Sequence, residues 1–184
     1  MTVQRDSAGR IVTDRLRLRQ WLDTDRVPFA AMGRDPRVMA HFPSLLFDAE
    51  SGELLNHFGR AIEASGSGMW ALERLSDRAF IGFCGIQPVA IGSPVDGEVE
   101  IGWRLARNYW GQGYASEAAR AALVVAFDEQ SLTRVLAITV PANAPSIAVM
   151  QRLGMSRRSE RDFDHPGLPH GHPLRPHIVH EIAA

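Results

Sequence analysis

The stretch Asn108-Tyr-Trp-Gly111-Gln-Gly113-Tyr-Ala115-Ser-Glu-Ala constrains this chain more than any other. A strand-like run, Glu98 to Leu105, precedes it, and a helix-like run, Tyr114 to Gln130, follows it. Two glycines therefore stand where a strand hands over to a helix. Such a turn leaves backbone N–H groups unpaired and aimed at one point, and the helix dipole adds positive potential there. A phosphate or pyrophosphate can be held this way without a basic side chain. The implied ligand is a phosphorylated cofactor.

Spacing sorts the cofactors. A Walker loop needs Gly-x-x-x-x-Gly-Lys-Ser/Thr, and all 20 basic residues of this chain are arginine. A dinucleotide fingerprint needs Gly-x-Gly-x-x-Gly after the first strand of a βαβ unit. Here Gly113 is followed by Tyr114-Ala115-Ser116, so the third glycine is missing. An ordinary strand-to-helix turn also fits the glycine pair taken alone. A second segment adds weight. Leu136-Ala-Ile-Thr-Val-Pro reads as a strand from its β-branched content. Asn143-Ala-Pro-Ser146 then starts a helix that runs to Leu153 and is stopped by Gly154.

Together these segments resemble the GNAT acetyltransferases. That family's acyl-coenzyme A loop is Gln/Arg-x-x-Gly-x-Gly/Ala, and Asn108-x-x-Gly111-x-Gly113 matches it except at Asn108. The family's Asn-x-x-Ser, apolar helix and Leu-Gly-Phe are similar to Asn143, Ser146 and Arg152-Leu153-Gly154-Met155. Thr13-Asp-Arg-Leu-Arg-Leu-Arg and Glu100-Ile-Gly-Trp-Arg-Leu105 look like the first and fourth strands of its RimJ/RimL-like branch. Asp162-Phe-Asp-His-Pro resembles the tails of some members of that branch. The resemblance implies acetyl-coenzyme A as cofactor. It implies an α+β fold, a mostly antiparallel twisted sheet flanked by helices, with central strands that splay around the pantetheine arm. It implies pyrophosphate binding by Asn108, Gly111, Gln112, Gly113, Tyr114 and Ala115. Trp103 and Leu105 would lie along the arm from the strand side, and Asn143 and Ser146 from the other. The acceptor would be a primary amine, either a peptide N-terminus or a small molecule.

Composition sets the frame. At 184 residues one core is expected, and residues 1–184 read as a single domain. The net charge of −1 gives no electrostatic case for nucleic-acid binding. No apolar run reaches membrane-spanning length, and Met1 to Arg10 lacks a signal-like apolar core. The single cysteine, Cys84, permits no intrachain disulfide, which fits a reducing cytoplasm. A homodimer is compatible with this sequence but not indicated by it.

Along the chain, Arg15, Arg17 and Arg19 alternate with Leu16 and Leu18 at strand period. Asp23 to Arg34 and Asp48 to Ala64 read as helices separated by Asp35-Pro36 and His41-Phe-Pro. Met69 to Arg74 and Phe80 to Gln87 form a hairpin through Ser76-Asp77, and Ala90 to Gly97 is a loop. A strand is expected from Met155 to Asp162 and a short one from His177 to Ile182. Trp21 and Trp70 read as core, and Trp110 as packing under the loop.

Amine acetylation needs the amine deprotonated. An alkyl ammonium has a pKa of about 10 and an α-amino group about 8, so the former needs more help. Glu98 and Glu100 share one strand face. Burial and mutual repulsion would raise one of them towards neutrality. Glu100 is the preferred base, directly or through a water. A solvated face or an ion pair with Arg104 is the bland alternative. Backbone N–H groups near Ile101 to Arg104 would meet the oxyanion. Many GNAT proteins place a tyrosine acid where this chain has Met150, so Ser146 is the candidate acid. A thiolate leaving group, with a conjugate acid near about 8.5, needs little help. Five of the seven histidines fall in the tail after Asp164, but prolines interrupt them and no metal site is expected. Two rival functions remain: acetylation of an antibiotic or polyamine, and a noncatalytic acyl-coenzyme A-binding module.

Overall fold

The computed structural model describes residues 3–184, so Met1 and Thr2 of the leader reading lie outside it. Ten strands and four α-helices follow in chain order. They are β1 Gln4–Arg5, β2 Ile11–Val12, β3 Leu16–Arg19, α1 Arg26–Arg34, α2 Asp48–Ser65, β4 Met69–Arg74 and β5 Phe80–Pro88. After these come β6 Val99–Leu105, α3 Tyr114–Val124, β7 Arg134–Thr139, α4 Ala144–Arg152, β8 Ser156–Arg157, β9 Phe163–Asp164 and β10 Pro176–Ala183.

One sheet runs β1-β2-β3-β4-β5-β6-β7-β10-β8, with β9 on β10. Every neighbouring pair is antiparallel except β6 and β7. Those two run parallel and share a single register pair, Glu100 with Leu136. Beyond it β6 continues through Leu105 without β7, so the sheet opens into a V. The expected α+β fold with splayed central strands is what the chain adopts.

Period-two alternation distributes β6 between two cores. Ile101 and Leu105 join Leu16, Leu18 and the alanines of α3, with Trp103 packed at the margin. The opposite sheet face carries Phe83, Met69 and Ala71, covered by Trp21, Phe29 and Phe58 from the α1–α2 side. Trp21 donates its indole N–H to the Met69 carbonyl at 2.8 Å, which fixes the aromatic cluster to the sheet. Both Trp21 and Trp70 are buried, as the sequence suggests.

Local chemistry moves several boundaries. The first helix opens with a 3₁₀ turn at Asp23–Asp25, where Asp25 turns inward to the Arg19 guanidinium at 2.7 Å. The long helix expected to Gln130 ends its α-helical part at Val124 and finishes as a wider π-turn at Val125–Glu129. The single strand expected over Met155 to Asp162 is broken. After Arg157 the chain makes a 3₁₀ turn at Ser159–Arg161, because Asp162 accepts from the Val179 N–H at 3.1 Å and so pulls the chain off the ladder. The last strand is longer than expected and lies between β7 and β8.

Candidate active site

The cofactor-loop segment forms a turn built on two left-handed glycines. Gly111 has φ +72° and Gly113 has φ +81°, a region that side-chain-bearing residues avoid. Gly113 is the N-cap of α3. Among the described residues, none of the backbone N–H groups from Gly111 to Ser116 finds a hydrogen-bond acceptor. They converge at the positive end of an 11-residue helix, which is a ready anion cradle.

Side chains hold this turn in shape. Glu117, buried in the first turn of α3, accepts from the Thr13 hydroxyl at 2.6 Å and the Arg15 N–H at 2.9 Å. It also pairs with the Arg15 guanidinium at 2.6 Å. Arg15 in turn donates to the Gln112 carbonyl at 3.0 Å and lies over the Tyr114 ring at 4.5 Å. Gln112 donates its side-chain amide to the Asn108 carbonyl at 3.0 Å. Trp110 donates its indole N–H to the Leu105 carbonyl at 2.7 Å, packing under the loop as expected.

On the facing side, Asn143 caps α4. Its side-chain oxygen accepts from the Ser146 N–H at 3.3 Å, and its amide donates to the Thr139 hydroxyl at 2.9 Å. Pro145 fits the first turn, and Gly154, at φ +81°, ends the helix.

A cavity of about 830 Å³ joins these parts. Trp103, Leu105, Gly111, Gly113, Tyr114, Ala115, Asn143 and Ser146 all line it. Asn108 and Gln112 do not; they shape the loop from outside. Met150 is buried away from the cavity, whereas Val149, one position earlier, faces it. The tyrosines among the lining residues are Tyr109 and Tyr114.

Glu100 occupies a different place. It stands at the last paired position before the splay, accepts from the Gln87 amide at 2.9 Å, and lies outside the cavity wall. Met69 lies over Gly102, the neighbour on the same strand face: a Cβ there would meet its terminal methyl at 3.0 Å. Burial pushes the Glu100 carboxyl above its ordinary range, and the Gln87 bond opposes this. Repulsion from Glu98 plays no part, because Glu98 pairs with Arg134 at 3.0 Å and with Arg161. The alternative ion pair of Glu100 with Arg104 is also not formed. Arg104 turns to the aromatic face, its guanidinium 4.0 Å from the Phe42 ring centroid and 5.3 Å from that of Phe83.

Sequence reading missed several cavity residues. Arg104, His41 and Phe42 line one side, and Arg15, Arg120 and Arg152 line another. Strand alternation separates Arg104 from Trp103 and Leu105, which was the available signal. Nothing in the sequence placed His41 and Phe42, which lie in the connection between α1 and α2.

In the tail, the His165 and His177 rings lie 5.1 Å apart and Phe163 stacks on His177. Among the described residues no group of three or more His, Cys, Asp or Glu is placed to hold a metal ion. Among the same residues no helix is long and apolar enough to cross a membrane.

Comparison with known proteins agrees with this architecture. Residues 15–156 match the family model described as Acetyltransferase (GNAT) domain. The chain is 37% identical to the uncharacterized protein YkkB of Bacillus subtilis (strain 168) over 147 residues, covering 79% of this chain and 84% of YkkB. The crystal structure of a GNAT-family acetyltransferase from Bacillus anthracis superposes with a TM-score of 0.78 at 26% identity, covering 95% of this chain and 98% of that one. RimL, a ribosomal L7/L12 α-N-protein acetyltransferase solved with coenzyme A, shares the fold at a TM-score of 0.72 and 15% identity, covering 94% and 96% of the two chains. A splayed sheet, an empty-handed row of amides at a helix N-terminus and a family match over most of the chain converge, and the chain belongs to the GNAT family as an acetyl-coenzyme A-dependent N-acetyltransferase.

Proposed function

We propose that the enzyme, acting as one domain over residues 1–184 in the cytoplasm, acetylates a peptide N-terminal amine by direct transfer within a ternary complex. The observation that carries this reading is the charge of the cavity. Arg15 and Glu117 pair and cancel, which leaves Arg104, Arg120 and Arg152 lining it against Asp14. A polyamine or a polycationic antibiotic would be repelled by such a wall. A peptide N-terminus brings a single amine with a pKa of about 8, much of it neutral near physiological pH. RimL, of the same fold, is named for action on a protein α-amino group.

The geometry supports the following roles. The N–H groups of Gly111 to Ser116 bind the pyrophosphate, and Asn108 and Gln112 hold the loop that presents them. Trp103 and Leu105 on β6, with Asn143 and Ser146 on the α4 side, flank the pantetheine arm in the V. Bound acetyl-coenzyme A supplies the thioester carbonyl. The edge of β6 freed beyond Glu100 presents backbone N–H groups to the developing oxyanion. Glu100, held by Gln87 and raised by burial, accepts the amine proton through a water, since it does not itself line the cavity. Ser146, which lines the cavity, is the residue proposed to protonate the leaving thiolate. Cys84 is fully buried on β5 and its thiol is pushed up by burial, which disfavours an acetyl-cysteine route.

The test is isothermal titration with acetyl-coenzyme A, desulfo-coenzyme A and NADP, followed by turnover on peptide N-termini and on spermidine. Binding of both coenzyme A species but not NADP, with turnover on peptides, is the expected result. Turnover on spermidine alone overturns the peptide reading. Binding with no turnover on any amine supports the noncatalytic module instead.

A further inference from the structure

Arg104 is the one cavity cation whose setting demands an anion. Its Nε and Nη1 are buried without a hydrogen-bond partner among the described residues. Burial alone pushes its pKa down, to about 10, and no carboxylate offsets that loss. The group still carries its charge at neutral pH. The rings of Phe42 and Phe83 stabilise it in part, but a ring face accepts no in-plane N–H. Burying unmet guanidinium donors is costly, and a neutral side chain would fill the same space without that cost. By contrast, Arg15 in the same wall has Glu117, and Arg19 elsewhere in the sheet has both Asp25 and Glu73.

The orientation of Arg104 decides which ligand could supply the anion. Ile101 and Leu105 of β6 enter the core beneath α3, the helix that carries the amide cradle. Arg104 alternates to the other face, with Phe83 and the Phe42 segment before α2. It therefore points away from the cradle that suits the pyrophosphate. The pantetheine arm is uncharged, and the cofactor's other anion, its 3′-phosphate, is carried on the adenosine beyond the pyrophosphate, away from the arm. The remaining molecule in a ternary complex is the acceptor.

We propose that Arg104, backed by Phe42, is an acceptor-specificity residue that binds a carboxylate near the acceptor amine, so that the preferred substrate is an acidic peptide N-terminus. This rests on the peptide reading given above. A planar guanidinium offers paired N–H groups matched to a carboxylate, and the ring behind it restricts its rotation. Charge-assisted hydrogen bonds of this kind are worth roughly tenfold or more in affinity when desolvated.

The experiment compares two C-terminally amidated peptides, Ser-Asp-Ala-Ala-Tyr and Ser-Asn-Ala-Ala-Tyr, which differ in one carboxylate. Turnover is measured with acetyl-coenzyme A, and ternary binding by titration into enzyme saturated with desulfo-coenzyme A. The wild type is expected to favour the acidic peptide by about tenfold or more in kcat/KM and in ternary affinity. In Arg104→Met that ratio falls to near one, through KM rather than kcat, and Arg104→Lys recovers part of it. Coenzyme A affinity of each variant, expected within about twofold of wild type, reports that the protein is folded and the cradle intact. If the wild type binds both peptides equally, or if Arg104→Met keeps the ratio, the inference is overturned while the peptide reading stands. If neither peptide is acetylated although coenzyme A binds, the peptide reading fails, and the ternary titration still decides whether Arg104 selects a carboxylate.

Discussion

Gly113→Ala tests the cradle most directly. The added Cβ meets nothing close: its nearest neighbour is an Arg15 guanidinium nitrogen at 3.5 Å, an ordinary contact. Crowding is therefore not a source of sensitivity at this position. The cost is backbone. Gly113 sits at φ +81°, where an L-residue is strained by roughly 1–2 kcal/mol. Alanine also stiffens the unfolded chain and returns about 0.4–1 kcal/mol, leaving a net penalty near 1 kcal/mol. That penalty must appear in one of two places. If the loop keeps its shape without ligand, braced by Arg15 on the Gln112 carbonyl, the variant loses stability and its coenzyme A affinity is unchanged. If the loop relaxes when empty, stability is spared and affinity falls about fivefold. Melting with and without saturating coenzyme A, together with isothermal titration, separates the two. A 1 kcal/mol loss lowers Tm by roughly 2–4 °C in a chain of this size. Gly97→Ala is the control, because Gly97 has φ +86°, has open space at Cβ, and lies outside the cavity. It should lose stability alone. The reasoning is refuted if Gly113→Ala changes neither quantity, because the turn then does not need the left-handed conformation.

Three further outcomes follow. Glu100→Gln should lower kcat about 10²–10⁴-fold, with coenzyme A affinity within about twofold, and remove an acid limb lying above the ordinary carboxylate range. Because burial raises the folded pKa above 4.5, the stability Glu100 allows is complete below that value and is lost as pH rises through the folded pKa. Glu100→Gln should therefore melt higher than wild type at pH 7, and an equal or lower Tm would contradict the assignment of burial as cause. Glu117→Ala should cost about 1–3 kcal/mol in chemical denaturation, from the Arg15 amide left without an acceptor and the Thr13 hydroxyl left with only the longer bond to the Leu16 carbonyl. The half-exposed Arg15 guanidinium adds little, because water screens it. Cys84→Ala should retain turnover, and intact-mass measurement after acetyl-coenzyme A alone should show no acetyl-enzyme; an adduct of about +42 Da (an acetyl group in place of a hydrogen) formed at a turnover-competent rate would overturn direct transfer.

Much of the fold was legible because its signals are local. The glycine pair marks a strand-to-helix turn by dihedral preference, and Asn143 with Gly154 marks both ends of α4 by capping. Alternation located β3 to β7 to within a few residues. Signals set by contacts between distant segments were weaker. The β8–β9 break arises because Asp162 bonds to Val179, 17 residues away. The two short opening strands, β1 and β2, pair only through a turn at Asp6 to Arg10 and were not foreseen.

The sequence alone determined the family, the cofactor class and the turn that suits a pyrophosphate, since each depends on residues adjacent in the chain. Tertiary structure alone decided what surrounds each ionisable group. Glu100 shares a strand face with Gly102, but only folding lays Met69 across that glycine. Glu98 looked like a repulsive neighbour until Arg134 and Arg161 came to it from other elements. Arg104 looked like a partner for Glu100, yet the α1–α2 connection brings Phe42 over it and no carboxylate. Charge state and exposure depend on every group within a few ångströms, and those groups come from segments that the linear order keeps far apart.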